Sequence, residues 1–402
     1  MNLNEAARSG LVRQKWSLIW LLLVLITAGV WLVACSSSDQ NALAGAAGAQ
    51  ETLVAQELSP APVETALLSA LATPIIESTA APTLEPTAPS MVEPAGLVAY
   101  ISKQNDGQIN LMLANADGSS SVAITQDGAE KNSPSWSPNG QQIAFAAKVD
   151  ENWDVYVVDV NTGAVTQLTN SPAKDWLPSW SPDGSMITFE SFRDSNFEIY
   201  RINQDGGNLV RLTDNQAGDA HPVWSPDGQS IAFVSNRDGN ADIYRMDNDG
   251  GNVQRLTSNV PPDASPAWSP DGQWLAFTSW QDGNPEIYRM RPDGSEQQGL
   301  TNNNSRDDYP TWSPDGQSIL YISGDKGAEN IVVMSADGSN SRVLTTDPGS
   351  DDSPSWSPDG HYLAFQTDRA GANEIDIINL NGEIIRKLSL AAQDASEPVW
   401  KP

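Results

Sequence analysis

A closed all-β propeller of seven four-stranded blades is the fold this 402-residue sequence predicts, and three observations predict it. Trp136, Trp180, Trp224, Trp268, Trp312, Trp356 and Trp400 recur at a spacing of 44 residues. Six of the seven open a Trp-Ser-Pro-Asp/Asn-Gly motif. Each period also divides into four short apolar runs separated by turns rich in Gly, Asn and Asp, about 11 residues per strand and turn, which is the rhythm of an all-β repeat. The repeats fill the chain from about residue 96 onward, so whatever the protein does is expected of the propeller.

The chain begins with Arg8, Arg13 and Lys15, followed by an apolar run from Trp16 to Ala34 broken only by Ser17, Thr27 and Gly29. This has the form of a signal segment over residues 1–35. The only cysteine, Cys35, follows Leu32-Val33-Ala34, so no disulfide can form within the chain. Leu-Val-Ala-Cys resembles the lipobox of bacterial lipoproteins, which implies cleavage before Cys35 and acylation of its thiol. An uncleaved signal anchor is the alternative, because about 19 apolar residues nearly span a bilayer. Both readings place the rest of the chain outside the cytoplasm, since the basic flank stays inside.

From residue 36 to about 95 the composition is dominated by Ala, Pro, Thr, Ser and Glu, and residues 36–93 hold no Lys, Arg or aromatic side chain. Such a segment buries too little apolar surface to offset its chain entropy and is expected to be a disordered tether. A flexible tether of that length averages on the order of 45 Å from end to end.

Residues 96–402 form the propeller domain, and the repeat around Trp224 shows its plan. His221-Pro222-Val223-Trp224 reads as the first strand, ended by the tight turn Ser225-Pro226-Asp227-Gly228. Ser230 to Ser235 follows as a strand apolar on both faces, as stacking between blades requires. Asn236 to Asn240 turns the chain into Asp242 to Met246, and Asp249-Gly250-Gly251 turns it into Val253 to Thr257. The first repeat starts in its second strand, Leu97 to Tyr100, and the sequence finishes on an unpartnered first strand, Glu397 to Trp400. One blade stitched from both ends would close the ring and leave no open edge. Val92-Glu93-Pro94-Ala95-Gly96 stands in register with the tryptophan motif but lacks the tryptophan, which leaves a six-bladed ring with an accessory repeat as the alternative.

Formal charge is −29, and 43 acidic against 19 basic residues remain from residue 96 onward. That surface repels phosphate backbones, so nucleic acid is excluded as a partner. The sequence calls for no cofactor and no metal: the Asp-rich turns lack the bidentate Glu that completes a calcium loop. Two histidines, His221 and His361, are separated on opposite faces, and no catalytic motif such as His-Glu-x-x-His or Gly-x-Ser-x-Gly is present.

An aspartate stands five residues before the tryptophan in five repeats: Asp175, Asp219, Asp263, Asp307 and Asp351. Counting strands puts it in the loop from the outermost strand of one blade to the innermost of the next, at a mouth of the central channel. A ring of carboxylates there would contact a partner, or each would brace its own loop through bonds to backbone N–H groups. Three residues before the tryptophan the side chain varies: Ser133, Leu177, His221, Ser265, Tyr309, Ser353 and Glu397. Invariant positions serve the scaffold, and positions that differ on one face are where a specific site is built. Trp153, Trp176 and Trp280 fall in loops on that face. The expected binding set is therefore Asp175, Asp219, His221, Asp263, Asp307, Tyr309, Asp351 and Trp176.

The ordered set Trp-Ser-Pro-Asp-Gly, Ile-Ala-Phe, Ile-Tyr and Leu-Thr resembles the TolB-type propeller repeat over residues 96–402. The resemblance implies an extracytoplasmic, non-enzymatic protein-binding module of the cell envelope with a protein or peptide partner, here monomeric and tethered through Cys35. In the family the propeller follows a separate N-terminal domain and is not lipidated, so the tether and lipobox set this chain apart. Propellers similar to these also serve as metal-dependent sugar lyases with channel histidines, which is the enzymatic alternative; only His221 is placed for it.

Overall fold

A computed structural model describes residues 93–389 and 394–402. The signal segment, Cys35 and the tether as far as residue 92 lie outside the described residues. The described chain forms 28 strands in seven four-stranded antiparallel sheets, with no helix among the described residues.

Blade 1 holds β1 (Leu97–Lys103), β2 (Ile109–Asn115) and β3 (Ser121–Ala123). Blade 2 runs through β4 (Glu130–Trp136), β5 (Gln142–Val149), β6 (Asn152–Asp159) and β7 (Val165–Gln167). Blade 3 has β8 (Asp175–Trp180), β9 (Met186–Ser191), β10 (Glu198–Asn203) and β11 (Val210–Arg211). Blade 4 has β12 (Asp219–Trp224), β13 (Ser230–Ser235), β14 (Asp242–Asp247) and β15 (Gln254–Arg255). Blade 5 has β16 (Asp263–Trp268), β17 (Leu275–Ser279), β18 (Glu286–Met290) and β19 (Gln298–Gly299). Blade 6 has β20 (Asp307–Trp312), β21 (Ser318–Ser323), β22 (Asn330–Ser335) and β23 (Arg342–Val343), and blade 7 has β24 (Asp351–Trp356), β25 (Tyr362–Thr367), β26 (Glu374–Asn379) and β27 (Ile384–Lys387).

The last strand, β28 (Ala395–Trp400), pairs antiparallel with β1 and completes blade 1 from the far end of the chain, Val98 opposite Trp400 and Ser102 opposite Ala395. The ring therefore has seven blades, not six. Glu93 to Gly96 forms no strand: Pro94 is buried, Glu93 pairs with Arg386, and β28 takes the inner position that the competing register would have needed.

The core lies between blades. Ile199 and Leu212 of blade 3 pack with Trp224, Ile231, Phe233, Tyr244 and Met246 of blade 4, and the same interleaving recurs round the ring. Burying each such aliphatic or aromatic side chain contributes about 1.5–3 kcal/mol. The repeated motifs each do a defined job. Asp227 accepts from Ser225 Oγ at 2.5 Å and from the amide of Gln229 at 3.0 Å, while Gly228 adopts a φ of 68° to close the turn. The Thr of each Leu-Thr accepts from the third strand, Ile243 N to Thr257 Oγ1 at 2.9 Å, with Ser389 taking this place in blade 7. The indole N–H of Trp136, Trp180, Trp224, Trp268 and Trp312 donates to the carbonyl just before the preceding tryptophan in the ring, at 3.0–3.3 Å. These five tryptophans thus tie their inner strands to the preceding ones, whereas the indole N–H groups of Trp356 and Trp400 meet no acceptor.

Candidate functional site

Two faces result. The Pro-Asp-Gly turns make one, the turn face; the loops that enter the inner strands and join second to third strands make the other, the loop face. Each inner strand carries a β-bulge near the loop face, where register slips between the residue four before the tryptophan and the residue just before it. The residue three before the tryptophan is the bulged one. Ser133, Leu177, His221, Ser265, Tyr309, Ser353 and Glu397 all have φ between 51° and 56°, a region that non-glycine residues seldom occupy. The next residue is proline in all seven repeats, Pro134 to Pro398. Proline brings no N–H to the ladder and is tolerated at bulges, so it marks the irregularity in the sequence. Bulges re-aim side chains, and these seven form a ring at the channel mouth with Tyr309 42% exposed and the other six half-buried.

Carboxylates cap several of the bulge amides. Glu190 accepts from His221 N at 2.6 Å, Asp308 from Tyr309 N at 2.8 Å, Asp352 from Ser353 N at 2.6 Å, and Glu397 from Ser133 N at 2.6 Å. Asp308 also accepts from Thr278 Oγ1 at 2.7 Å and pairs with Arg306 at 2.8 Å. Glu190 is buried and receives the Trp176 indole N–H at 2.9 Å; burial raises its pKa, against the bonds from His221 and Trp176. Glu190 and Asp308 were not singled out in the sequence. Glu190 carried a signal, since it stands where other repeats have Ala146, Val234, Thr278 and Ile322, whereas Asp308 shares its residue type with Asp352 of the next repeat.

The five aspartates are the first residues of β8, β12, β16, β20 and β24 rather than loop residues, and their side chains are buried beneath the face. Arg193 binds Asp175 at 2.9 and 3.1 Å, and Arg237 binds Asp219 at 2.9 and 3.0 Å. Asn259 bonds Asp263 at 3.2 Å, Asn303 bonds Asp307 at 2.7 Å, and Arg369 lies 3.8 Å from Asp351. Burial raises the pKa of Asp263, Asp307 and Asp351. The carboxylates are engaged in holding adjoining loops, the bracing role, though through side chains rather than backbone N–H groups.

His221 and Tyr309 sit on the loop face as the spacing implied. Trp176 is buried in an aromatic cluster with Trp153, stacked on Phe197 at 5.4 Å, and Phe197 meets Phe192 edge-on at 5.0 Å. Phe192, 43% exposed, is the part of this cluster that reaches solvent. His361 lies at a turn-face loop, its amide bonded to Asp359 at 3.0 Å. Among the described residues no three His, Cys, Asp or Glu side chains converge as a metal site. The loop face is thus a rim of unlike side chains, with the exposed aromatics Phe192 at blade 3 and Tyr309 at blade 6 and the carboxylates Glu190, Asp308, Asp352 and Glu397 holding the bulges.

The family model described as the TolB beta propeller domain matches residues 95–260 and 221–402. The Tol-Pal system protein TolB of Hahella chejuensis is 34% identical over 76 residues, 18% of each chain, so the match spans under a fifth of that relative's length. The solved structure of a putative TolB from Agrobacterium tumefaciens is 26% identical and covers 66% of this chain and 96% of its own, with a TM-score of 0.51. An oligogalacturonate lyase from Vibrio parahaemolyticus, 17% identical, covers 70% of this chain and 86% of its own at a TM-score of 0.59, a likeness of fold alone. The family match spans the whole described ring, and the chain belongs to the TolB β-propeller domain family.

Proposed function

We propose that this chain is an extracytoplasmic binding module that holds a protein or peptide partner on its loop face, in a cell-envelope role, with the propeller tethered to a membrane through Cys35. The observation that carries the reading is the bulge ring. Seven positions share one backbone geometry and seven-fold placement, yet carry Ser, Leu, His, Ser, Tyr, Ser and Glu. A scaffold needs no such variety, and a recognition surface does. The similarity to Tol-Pal system proteins TolB supports an envelope partner over a catalytic role. The exposed Phe192 and Tyr309 are the anchors we assign, because aromatic side chains carry much of the energy at protein interfaces. Selectivity falls to His221, Glu190 and Asp308; the aspartates beneath them act by positioning the loops.

The test is site-specific photocrosslinking in cells, with the probe at Tyr309 or Phe192 on the loop face and at Gln229 on the turn face. Discrete adducts from the loop face alone are expected, and adducts only from Gln229 would overturn the reading. Cys35→Ala is expected to move the propeller from the membrane fraction to the soluble one; unchanged fractionation would refute lipid tethering.

A further inference from the structure

Blade 5 keeps a slot shaped for a guanidinium and lacks the arginine that fills it elsewhere. In blade 3, Arg193 Nη2 bonds both oxygens of Asp175, its Nε donates to Ser191 Oγ at 2.8 Å, and its guanidinium lies 4.4 Å from the Tyr200 ring. In blade 4, Arg237 repeats every contact: Asp219, Ser235 Oγ at 2.8 Å, the Tyr244 ring at 4.9 Å and the Phe233 ring at 5.3 Å. Blade 5 presents the same walls. Asp263, Ser279, Phe277 and Tyr288 stand at the equivalent positions, and the two rings are 5.8 Å apart against 5.7 Å in blade 4. In place of the arginine is Gln281, an exposed side chain.

The slot records what is missing. Asp263 Oδ2 is buried and meets no hydrogen-bond donor, whereas both oxygens of Asp175 and of Asp219 accept from arginine. The second arginine of blades 3 and 4 is also missing from blade 5, although the charge of Arg255 in blade 4 still acts on Asp263. Arg211 reaches Glu198 at 2.9 Å and Arg255 reaches Asp242 at 2.5 Å, but the counterpart in blade 5 is Gly299. Asp263, Asp282 and Glu286 are accordingly left with no basic side chain within ion-pair distance among the described residues. Removing one partner of a buried ion pair leaves the other charge uncompensated, and a cation supplied from outside relieves it. These residues lie at the loop-face end of the blade, covered by Gln281, with Trp280 half-buried alongside.

We propose that this slot takes an arginine side chain of the bound partner, with Asp263 gripping the guanidinium and Phe277 and Tyr288 lying against its face. Arginine is specified over lysine because the planar fork satisfies a carboxylate and a hydroxyl together and stacks on aromatic rings, which a compact ammonium does not. Gln281, an exposed side chain that bonds Tyr288, moves aside on entry. The proposal rests on the loop face being the partner-binding face.

The test is isothermal titration of the full chain with the capped peptide Gly-Arg-Gly-Arg-Gly and with its lysine counterpart at one fixed salt concentration. The arginine peptide is expected to bind at least about tenfold tighter. Gln281→Arg, which fills the slot from within as blades 3 and 4 do, and Asp263→Asn, which removes the grip, are each expected to weaken it about tenfold or more. Equal binding of the two peptides, or undiminished binding by both variants, would overturn the proposal. Loop-face crosslinks combined with no arginine preference would sink the slot and spare the face; turn-face crosslinks would sink the face itself.

Discussion

At the scale of single residues, five aspartates in equivalent positions have unequal surroundings, and their stability effects should differ in sign. Asp219 is buried against Arg237 and bonded by Asn215 at 2.5 Å. Asp219→Asn leaves the guanidinium without its counter-charge, and we expect a loss of about 2 kcal/mol, below the 3–5 typical of a fully buried pair because Arg237 keeps some contact with solvent. Asp307 has no arginine; burial raises its pKa, the Glu286 charge pushes the same way, and its Oδ1 meets no donor. A carboxyl whose folded pKa is raised stabilises fully below its unfolded value, and that contribution is lost as pH rises through the folded value. Asp307→Asn is therefore expected to be neutral or stabilising at pH 7, with its advantage over the parent shrinking toward pH 4. Denaturant midpoints of the two proteins across pH 4–8 check this; a variant less stable than the parent throughout would refute it. The sequence showed the recurrence of these aspartates but not their partners: all five are equally buried, and the pairing depends on which residue stands 18 positions later, Arg193 and Arg237 against Gln281 and Asp325.

At the scale of the element, the inner strand combines a tryptophan that joins neighbours with a bulge that aims a side chain. Trp224 donates to Ser179 O at 3.3 Å, whereas the buried indole N–H of Trp356 has no acceptor. Trp224→Phe forfeits a hydrogen bond and leaves the carbonyl without that donor, so a cost of about 1–2 kcal/mol is expected beyond the loss of ring volume. Trp356→Phe should cost measurably less, since it removes an unsatisfied donor; equal losses in thermal denaturation would contradict the assignment of the indole bonds. The 44-residue recurrence made the strands, turns and blade count legible, because each motif residue has a local backbone or packing reason to recur. The bulge was less legible. A run such as Asp219-Ala-His-Pro-Val-Trp224 reads as a short strand starting at His221, and only the seven-fold proline hints that the strand starts earlier and slips register around it. That slip is why the variable position reaches the channel mouth while the aspartate two residues before it does not.

At the scale of the whole molecule, closure decides whether the ring is one cooperative unit. Blade 1 draws its inner strand from residues 395–400, so the first and last segments of the propeller are held together by the β28–β1 ladder and by Trp136 Nε1 bonded to Val399 O at 3.0 Å. Both ends of the described chain lie at the turn face: Lys401 sits over Trp136, and Glu93 pairs with Arg386 next to the turn at Asp117. Removing residues 395–402 opens the edge of β1, strips Trp136 of its acceptor and exposes the apolar side of Val98 and Tyr100, and an unpaired apolar strand edge also invites pairing with other chains. We expect this truncation to lower the unfolding midpoint steeply and to favour aggregation. A circular permutant that joins residues 394–402 directly ahead of residue 97, so that β28 and β1 become a continuous hairpin, should unfold close to the parent in a single transition. If the truncated chain instead matched the parent in midpoint and cooperativity, the stitched blade would be ornamental, and the blades would be acting as a stack of near-independent repeats held by nearest-neighbour contacts. If the permutant failed while the parent folded, the order in which the strands are made, rather than their pairing, would be what closes the ring.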